Sequence, residues 1–196
     1  MSPVILRVFL FWTILPVAFG QTPVPTFQIR RINPGCIPLT VVVGDFNGDP
    51  KPDLACACNA NSSSPIMVLL GNGDGTFQRA VPVSGAGLGT IGGNKLIAAD
   101  LNLDGETDLA YISSNGNLMT LLSAGDGTFR TIGAPPPNTK PALVASADLN
   151  GDNIPDLIFF TGNNDSLVSY AFGKSDGAFA APIVVPSDLL TSRKSR

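Results

Sequence analysis

Short apolar stretches separated by aspartate-rich turns recur along most of this chain. Three segments that begin at Val41, Leu96 and Val144 share one pattern: an apolar run, then Asp-x-Asn-x-Asp-x-x-x-Asp-Leu, then a second apolar run. Apolar runs of about four to eight residues bounded by turn residues are typical of buried β-strands. The pattern therefore predicts a repeated unit of short strands rather than long helices.

A second motif follows each aspartate-rich segment at a similar distance. It spans Leu69–Phe77, Leu121–Phe129 and Ala171–Phe179, and each copy has Asp-Gly near its centre. An Asp-Gly pair between apolar strands is a strong signal for a tight hairpin turn. The two motifs together repeat roughly every 50 residues, a period typical of β-propeller blades.

Each unit is expected to contain four strands. The aspartate loop joins the first strand to the second, and the Asp-Gly turn joins the third to the fourth. The expected strands are Thr40–Gly44, Leu54–Cys58, Ile66–Leu70 and Gln78–Val83 in unit 1, Lys95–Ala99, Leu109–Ser113, Leu118–Ser123 and Arg130–Ile132 in unit 2, and Ala142–Ala147, Leu157–Thr161, Leu167–Phe172 and Pro182–Val185 in unit 3. Thr26-Phe27 matches the Thr-Phe that follows two of the turns, so Phe27–Ile32 is interpreted as an orphan fourth strand.

These elements divide the chain into six segments. We expect a signal peptide at 1–20, an N-terminal segment with the orphan strand at 21–39, blade 1 at 40–84, blade 2 at 85–134, blade 3 at 135–186 and a C-terminal tail at 187–196. Closed propellers usually have at least about four blades. The predicted fold is therefore all-β: three four-stranded propeller blades in an open or partial ring, in an assembly that completes the ring, or in a piece of a longer protein.

The first twenty residues differ from the rest of the chain. Arg7 precedes an uncharged apolar run, Val8–Gly20, which ends in the small-x-small pattern Ala18-Phe19-Gly20. The run is short for a membrane span, which needs about 20 apolar residues. We interpret it as a cleaved signal peptide, with an uncleaved membrane anchor as the alternative. The protein is therefore expected to be secreted or at the cell surface, without membrane insertion after cleavage.

Three aspartate loops carry the candidate chemistry. Loop 1 is Asp45–Asp53, loop 2 is Asp100–Asp108 and loop 3 is Asp148–Asp156, each with oxygen-bearing side chains at positions 1, 3, 5 and 9. With the backbone carbonyl of position 7, this spacing can surround one calcium ion, which prefers six to eight oxygen ligands. The predicted calcium ligands are Asp45, Asn47, Asp49, Lys51 and Asp53 in loop 1, Asp100, Asn102, Asp104, Glu106 and Asp108 in loop 2, and Asp148, Asn150, Asp152, Ile154 and Asp156 in loop 3.

The same aspartate spacing also occurs in EF-hands and in acidic β-turns without metal. An EF-hand needs an acidic residue at position 12 and helices on both sides, whereas position 12 is Cys56, Tyr111 or Phe159. That excludes the EF-hand. Metal-free turns remain the alternative, because Asp and Asn favour turns through local hydrogen bonds. Three clustered carboxylates without a cation would repel one another, which favours the metal.

Loop 1 is expected to be distorted or to bind calcium more weakly. Position 6 is predicted to need a positive φ, which Gly105 supplies freely and Asn153 tolerates. Pro50 occupies that position in loop 1. Its ring fixes φ near −65°, so we predict that it cannot adopt the required conformation.

Composition narrows the choice of partners and chemistry. The net charge is −3 and no extended basic stretch occurs, so nucleic acid is not expected to bind. No histidine is present, which argues against a zinc site. The three cysteines are odd in number; Cys36 could reach Cys56 or Cys58, but we interpret all three as small buried apolar residues.

The recurring motifs Asp-Phe-Asn-Gly-Asp-Pro-Lys-Pro-Asp-Leu and Gly-Asn-Gly-Asp-Gly-Thr-Phe, with their two cognates, resemble the FG-GAP and VCBS repeat family, which includes the propeller of integrin α subunits. The resemblance runs from about Phe27 to Val185. It implies calcium binding by the aspartate loops, a propeller fold and a secreted or surface role in adhesion, ligand binding or carbohydrate-related processes. The departure from the family pattern is the number of blades.

The expected function is a secreted, calcium-binding, non-catalytic binding or adhesion module whose ligand is an unidentified protein or glycan. Self-association to complete a propeller is a further expectation. The alternatives are a structural fragment of a larger surface protein and a carbohydrate-active enzyme on a propeller scaffold. The enzyme is not expected, because the chain has no histidine and its clustered carboxylates already have a metal explanation.

Overall fold

The computed structural model describes residues 30–59, 64–84, 91–113, 116–133, 142–161 and 167–186. The chain divides into two compact units, Met1–Arg31 and Ile32–Arg196, and the fold described below is that of the second. The expected signal peptide and the C-terminal tail lie outside the described residues. So does most of the expected orphan strand, and its described residues 30–32 are not in a strand.

The described part of Ile32–Arg196 consists of β-strands and turns, as the sequence predicts, and none of its described residues is helical. Twelve strands form three four-stranded antiparallel sheets, in which each strand pairs with its neighbour in sequence. Blade 1 contains β1 (Pro38–Gly44), β2 (Asp53–Cys58), β3 (Ile66–Leu69) and β4 (Val81–Pro82); blade 2 contains β5 (Ile91–Ala99), β6 (Asp108–Ser113), β7 (Leu118–Ser123) and β8 (Phe129–Gly133); blade 3 contains β9 (Ala142–Ala147), β10 (Asp156–Thr161), β11 (Leu167–Ala171) and β12 (Ile183–Val184). The three sheets form an open or partial propeller.

The outer strands of blades 1 and 3 are shorter than expected. The sequence predicts Gln78–Val83 and Pro182–Val185, whereas β4 and β12 have two residues each. Proline has no N–H to donate to a ladder, and Pro82 lies within β4. Such short edges limit pairing with other chains.

The blades stack face to face, and a hydrophobic cluster fills each junction. Because side chains alternate along a strand, every blade has a forward face toward the next blade in the chain and a rear face toward the previous one. The forward face of blade 1 includes Ala55 and Ala57, and the rear face of blade 2 includes Leu109 and Tyr111. The buried residues at the first junction are Phe46, Ala55, Ala57, Ile66, Val68, Val83, Leu96, Leu109, Tyr111 and Leu121. Those at the second are Leu101, Ala110, Ile112, Leu118, Leu157, Phe159, Ala171 and Phe179.

A disulfide closes part of the rear face of blade 1. Cys36 is bonded to Cys58, and a third cluster of Cys56, Cys58, Met67 and Leu69 is buried there with Cys36 packed against it. The interpretation of all three cysteines as unbridged apolar residues was therefore wrong for Cys36 and Cys58; Cys56 is free and buried. The bridge spans a sequence separation of 22 residues, and such a loop stabilises a fold by about 3 kcal/mol.

Candidate functional site

The aspartate loop and the Asp-Gly turn of each blade lie at the same end of the blade. The position 9 carboxylates hold them together: Asp53, Asp108 and Asp156 are each 0% exposed. In blade 2, Asp108 Oδ2 accepts a hydrogen bond from Leu101 N at 2.9 Å, and Oδ1 accepts one from Ser123 N at 2.8 Å. The same two bonds recur on Asp53, from Phe46 N and Gly71 N, and on Asp156, from Leu149 N and Gly173 N.

Burial is the main influence on the pKa of the position 9 carboxylate in blade 2, Asp108. Desolvation raises the pKa of Asp108 from 3.8 to about 6, against the two backbone N–H bonds, which lower it. The nearby Asp104 and Asp100 carboxylates add to the rise through charge repulsion. These three acids are therefore close enough to affect one another, and a cation beside them would relieve the repulsion.

The position 1 carboxylate organises the first half of each loop. In loop 3, Asp148 Oδ1 accepts bonds from Asn150 N at 3.2 Å and Gly151 N at 2.7 Å, while Oδ2 accepts one from Asn153 N at 2.9 Å. These amide donors, above all Gly151 and Asn153, lower the pKa of Asp148. Asp45 and Asp100 accept backbone N–H bonds within their loops in the same way.

Positions 3 and 5 meet side by side in loops 2 and 3. Asn102 Nδ2 donates to Asp104 Oδ2 at 2.7 Å, and Asn150 Nδ2 donates to Asp152 Oδ2 at 2.9 Å. Loop 1 is different because its position 5 acid pairs with a lysine. Lys51 Nζ lies 2.9 Å from Asp49 Oδ2, and this hydrogen bond is the main reason that the pKa of Asp49 is lowered.

Positions 4 and 6 have positive φ in all three loops. At position 6 the angles are 30° for Pro50, 93° for Gly105 and 67° for Asn153, which confirms the predicted conformation. The prediction that Pro50 cannot reach positive φ was wrong, and its φ lies far from the range that the proline ring favours. Position 4 was missed: Leu103 adopts a φ of 62°, where Gly48 and Gly151 occupy the other loops. The signal was available, since two of three residues at position 4 are glycine.

The aspartate loop of blade 1 is joined to the Asp-Gly turn of blade 2, and we call the loops and turns at this end of the blades the rim. Phe46 O, at position 2 of loop 1, accepts hydrogen bonds from Gly127 N at 2.8 Å and from Ser123 Oγ at 3.2 Å. Gly127 belongs to the Asp-Gly turn of blade 2. Within that turn, Asp126 Oδ1 accepts bonds from Thr128 N and Thr128 Oγ1, and the hydroxyl is the main cause of its lowered pKa.

The oxygen-rich loops fit calcium in donor type. Among the described residues, however, no group of three or more Asp, Glu, Cys or His side chains is arranged to hold a metal ion. The position 1 and 5 carboxylates accept hydrogen bonds from backbone N–H groups of the loop, and the position 9 carboxylate accepts them within its own blade. Each bond uses one lone pair, and a carboxylate has about four acceptor sites. These carboxylates therefore retain acceptor sites beyond their hydrogen bonds, and in loop 1 the Lys51 ammonium lies against the position 5 carboxylate.

The repeat seen in the blades matches a known family. A sequence profile of the FG-GAP-like repeat matches residues 45–111 and 100–159, which together cover more than half of the chain. The chain belongs to the FG-GAP-like repeat family. Each matched region begins at position 1 of an aspartate loop, Asp45 or Asp100, so the two regions together include all three loops. A search of curated protein sequences finds no match to this chain.

A solved structure supports the propeller-type fold. An Agrocybe aegerita lectin that specifically recognises non-reducing terminal N-acetylglucosamine is similar to the FG-GAP-like chain, with a TM-score of 0.53 and 22% sequence identity. The similarity covers 74% of this chain and 37% of the lectin chain, so the FG-GAP-like protein spans little more than a third of the lectin's length.

Among the described residues of the FG-GAP-like protein, no helix is long and apolar enough to span a bilayer.

Proposed function

We propose that this FG-GAP-like protein is a secreted, calcium-stabilised, non-catalytic module that binds a glycan at the rim formed by its aspartate loops and Asp-Gly turns. The observation that carries the proposal is the repetition of the rim: three blades present the same loop, held by the same buried aspartate. Because each rim loop is fixed to its own blade, the rim is a rigid platform, and rigid surfaces bind ligands at a low entropic cost.

Calcium is the proposed stabilising ion of loops 2 and 3. The side chains of positions 1, 3 and 5 and the backbone carbonyl of position 7 can each supply an oxygen ligand, which suits a hard cation. Burial is the main cause of the raised pKa of Asp108, and repulsion from Asp104 and Asp100 adds a smaller part. A bound cation would neutralise that repulsion and hold the rim loops in one conformation.

The proposal of secretion rests on two features of the chain. The apolar leader Met1–Gly20 has the flanks of a signal peptide. The second feature is the Cys36–Cys58 disulfide. Structural disulfides persist in oxidising compartments and are rare in the cytosol. Together they support a location outside the cytoplasm or on the cell surface.

The proposal of a non-catalytic role is supported by how the acids are used. Asp53, Asp108 and Asp156 have both carboxylate oxygens engaged by backbone N–H groups of their own blade. General acid or base catalysis needs a carboxyl group that can reach a substrate proton. The glycan is the proposed ligand because the similar solved structure is a lectin.

The test is a glycan array probed with the labelled protein in calcium and in a chelator. We expect binding to a subset of glycans that is lost in chelator and in the double variant Asp104→Ala, Asp152→Ala. Val81→Ala, in the outer strand β4 and away from the rim, is the control and should retain binding. A folded, calcium-loaded protein that binds no glycan would refute the glycan ligand, and titration calorimetry without a calcium signal would refute the calcium sites.

A further inference from the structure

The residue at position 2 of loops 1 and 2 packs into the following blade. Phe46 and Leu101 are both 0% exposed, and they lie in the first and second junction clusters. The Phe46 ring is 5.8 Å from that of Phe129, the last residue of the Asp-Gly motif in blade 2. Leu149 occupies the same position in loop 3 and is 47% exposed. Among the described residues, the forward end of blade 3 thus lacks the cover that blades 1 and 2 have.

The rest of the forward face of blade 3 is also apolar and partly exposed. The strand register places five side chains at the positions that blade 1 fills with Ala55, Ala57, Ile66, Val68 and Leu70, which lie in the first junction cluster or, for Leu70, pack against it. In blade 3 these side chains are Ile158, Phe160, Val168, Tyr170 and Phe172. The Tyr170 and Phe172 rings also contact each other, with centroids 5.2 Å apart.

The rear face of blade 1 exposes the complementary half of the same junction. On the inner strand β1, Val41 is 48% exposed and Val43 is 61% exposed. Val41 pairs with Cys56 across the ladder, as Leu96 pairs with Tyr111 in blade 2, and Leu96 is only 4% exposed. Blade 1 buries the inner strand on the rear face of blade 2. The equivalent inner strand on the rear face of blade 1 is therefore exposed.

The outer part of the rear face of blade 1 differs from the same part of blades 2 and 3. Cys56 stands where blades 2 and 3 have the large side chains Tyr111 and Phe159. The segment tethered by the Cys36–Cys58 disulfide packs there instead, with Cys36 against the buried Cys56 and Met67. This segment thus fills the space that a large aromatic residue fills in the other blades. It does not cover the inner strand β1, whose Val41 and Val43 remain exposed.

We propose that a second copy of this chain docks head to tail, with the forward face of blade 3 in one copy against the rear face of blade 1 in the other. The pairing continues an interface that the chain already forms twice with itself. The residues named on both faces carry no charge, so no like-charge repulsion opposes it. A head-to-tail contact closes into a ring when its rotation allows. Two copies of the described part supply six blades, within the usual range of about four to eight, whereas three copies would exceed it.

The experiment measures mass by light scattering and sedimentation, over a range of protein concentrations, on protein expressed from the full sequence so that its own processing takes place. We expect a discrete dimer. Leu149→Asp on the forward face and Val41→Asp on the rear face should each weaken it on the order of tenfold or more. Both side chains are exposed, and near-UV circular dichroism checks that the variants fold.

Mixing the two variants separates this arrangement from others. In a head-to-tail pair, the intact forward face of Val41→Asp can still bind the intact rear face of Leu149→Asp, so the mixture should regain a dimer with one good interface. Leu103→Asp is the matched control, because Leu103 is 51% exposed but lies on neither face; it should leave the dimer unchanged.

Three results would overturn the proposal: a wild-type monomer at every concentration, a dimer lost with Leu149→Asp but unaffected by Val41→Asp, or irregular aggregates insensitive to both. The second result would indicate two forward faces packed together. Calcium is held constant throughout and no glycan is added, so this outcome is independent of the proposed binding function.

Discussion

Backbone conformation at position 4 of the aspartate loops gives the sharpest expectation for a single residue. Leu103 has a φ of 62° and is 51% exposed, so its side chain gains little from packing while its backbone is strained. A left-handed conformation costs a non-glycine residue roughly 1–2 kcal/mol. Leu103→Gly should therefore increase the free energy of unfolding by about 1 kcal/mol, measured by urea denaturation. Ile183→Gly, in a strand with ordinary φ, should lower it.

Lys51 explains why the three loops should not bind calcium equally. Its ammonium already neutralises Asp49 at 2.9 Å, and it occupies position 7, where the other loops have Glu106 and Ile154. Titration calorimetry should find two calcium sites in the wild type. In Lys51→Ala a third site should appear or strengthen, because the position 5 carboxylate becomes available. Lys174→Ala, in the Asp-Gly motif of blade 3, should change nothing; three equal sites in the wild type would contradict the interpretation.

The Asp-Gly turn of blade 2 offers a pH-dependent test. The Thr128 hydroxyl is the main cause of the lowered pKa of Asp126, whose ordinary value is 3.8. A lowered folded-state pKa means that the stabilisation is present above pH 3.8 and is lost as the pH falls through the folded-state value. Thr128→Val should move the pKa of Asp126 upward, as followed by carboxyl NMR. Thr131→Val, in the adjacent strand, should leave that pKa in place.

At the scale of strands and loops, the sequence was sufficient for most of the architecture. Alternating apolar runs and Asp-Gly turns located all twelve strands, with bounds that differ mainly by one to four residues at their ends. The role of position 9 could not be read from spacing, because positions 1, 3, 5 and 9 offer the same kind of oxygen. Asp53, Asp108 and Asp156 begin the second strand of each blade. There, two backbone donors brought together by the fold engage each carboxylate.

This difference between loop positions predicts opposite behaviour for two aspartates of loop 2. Asp108→Ala removes an acceptor from two buried N–H groups and should cost about 3 kcal/mol of unfolding free energy even in chelator. Asp100→Ala affects a more exposed carboxylate, so it should change stability little in chelator while removing most of the calcium-dependent gain. Chemical denaturation of both variants, with and without calcium, distinguishes the roles. Equal losses in chelator would refute the assignment of Asp108 as mainly structural.

For the molecule as described, the number of blades was predictable from the sequence. Which faces of the first and last blades are covered was not. Three repeats of one motif gave three sheets. Which rear or forward face is covered depends on contacts far apart in sequence, such as Cys36 with Cys58. Cysteine spacing left the pairing open, since Cys56 and Cys58 both lie on the rear side of β2. The register of β1 on β2 sets the distances from Cys36 to Cys56 and to Cys58, and it determines which of the two is bonded.

Because rim loops link one blade to the next, calcium should stabilise the stack as a unit rather than one blade at a time. Phe46 O and Gly127 N join loop 1 to the turn of blade 2, and Leu101 of loop 2 packs into the second junction cluster. A ligand present at 100 times its dissociation constant stabilises a fold by about 2.7 kcal/mol per site. We therefore expect a single thermal transition whose midpoint rises with calcium concentration, followed by differential scanning calorimetry. Magnesium at the same concentration is the control and should shift it much less, because it demands a tighter octahedral site. A midpoint identical in calcium and in chelator would show that the aspartate loops are metal-free turns.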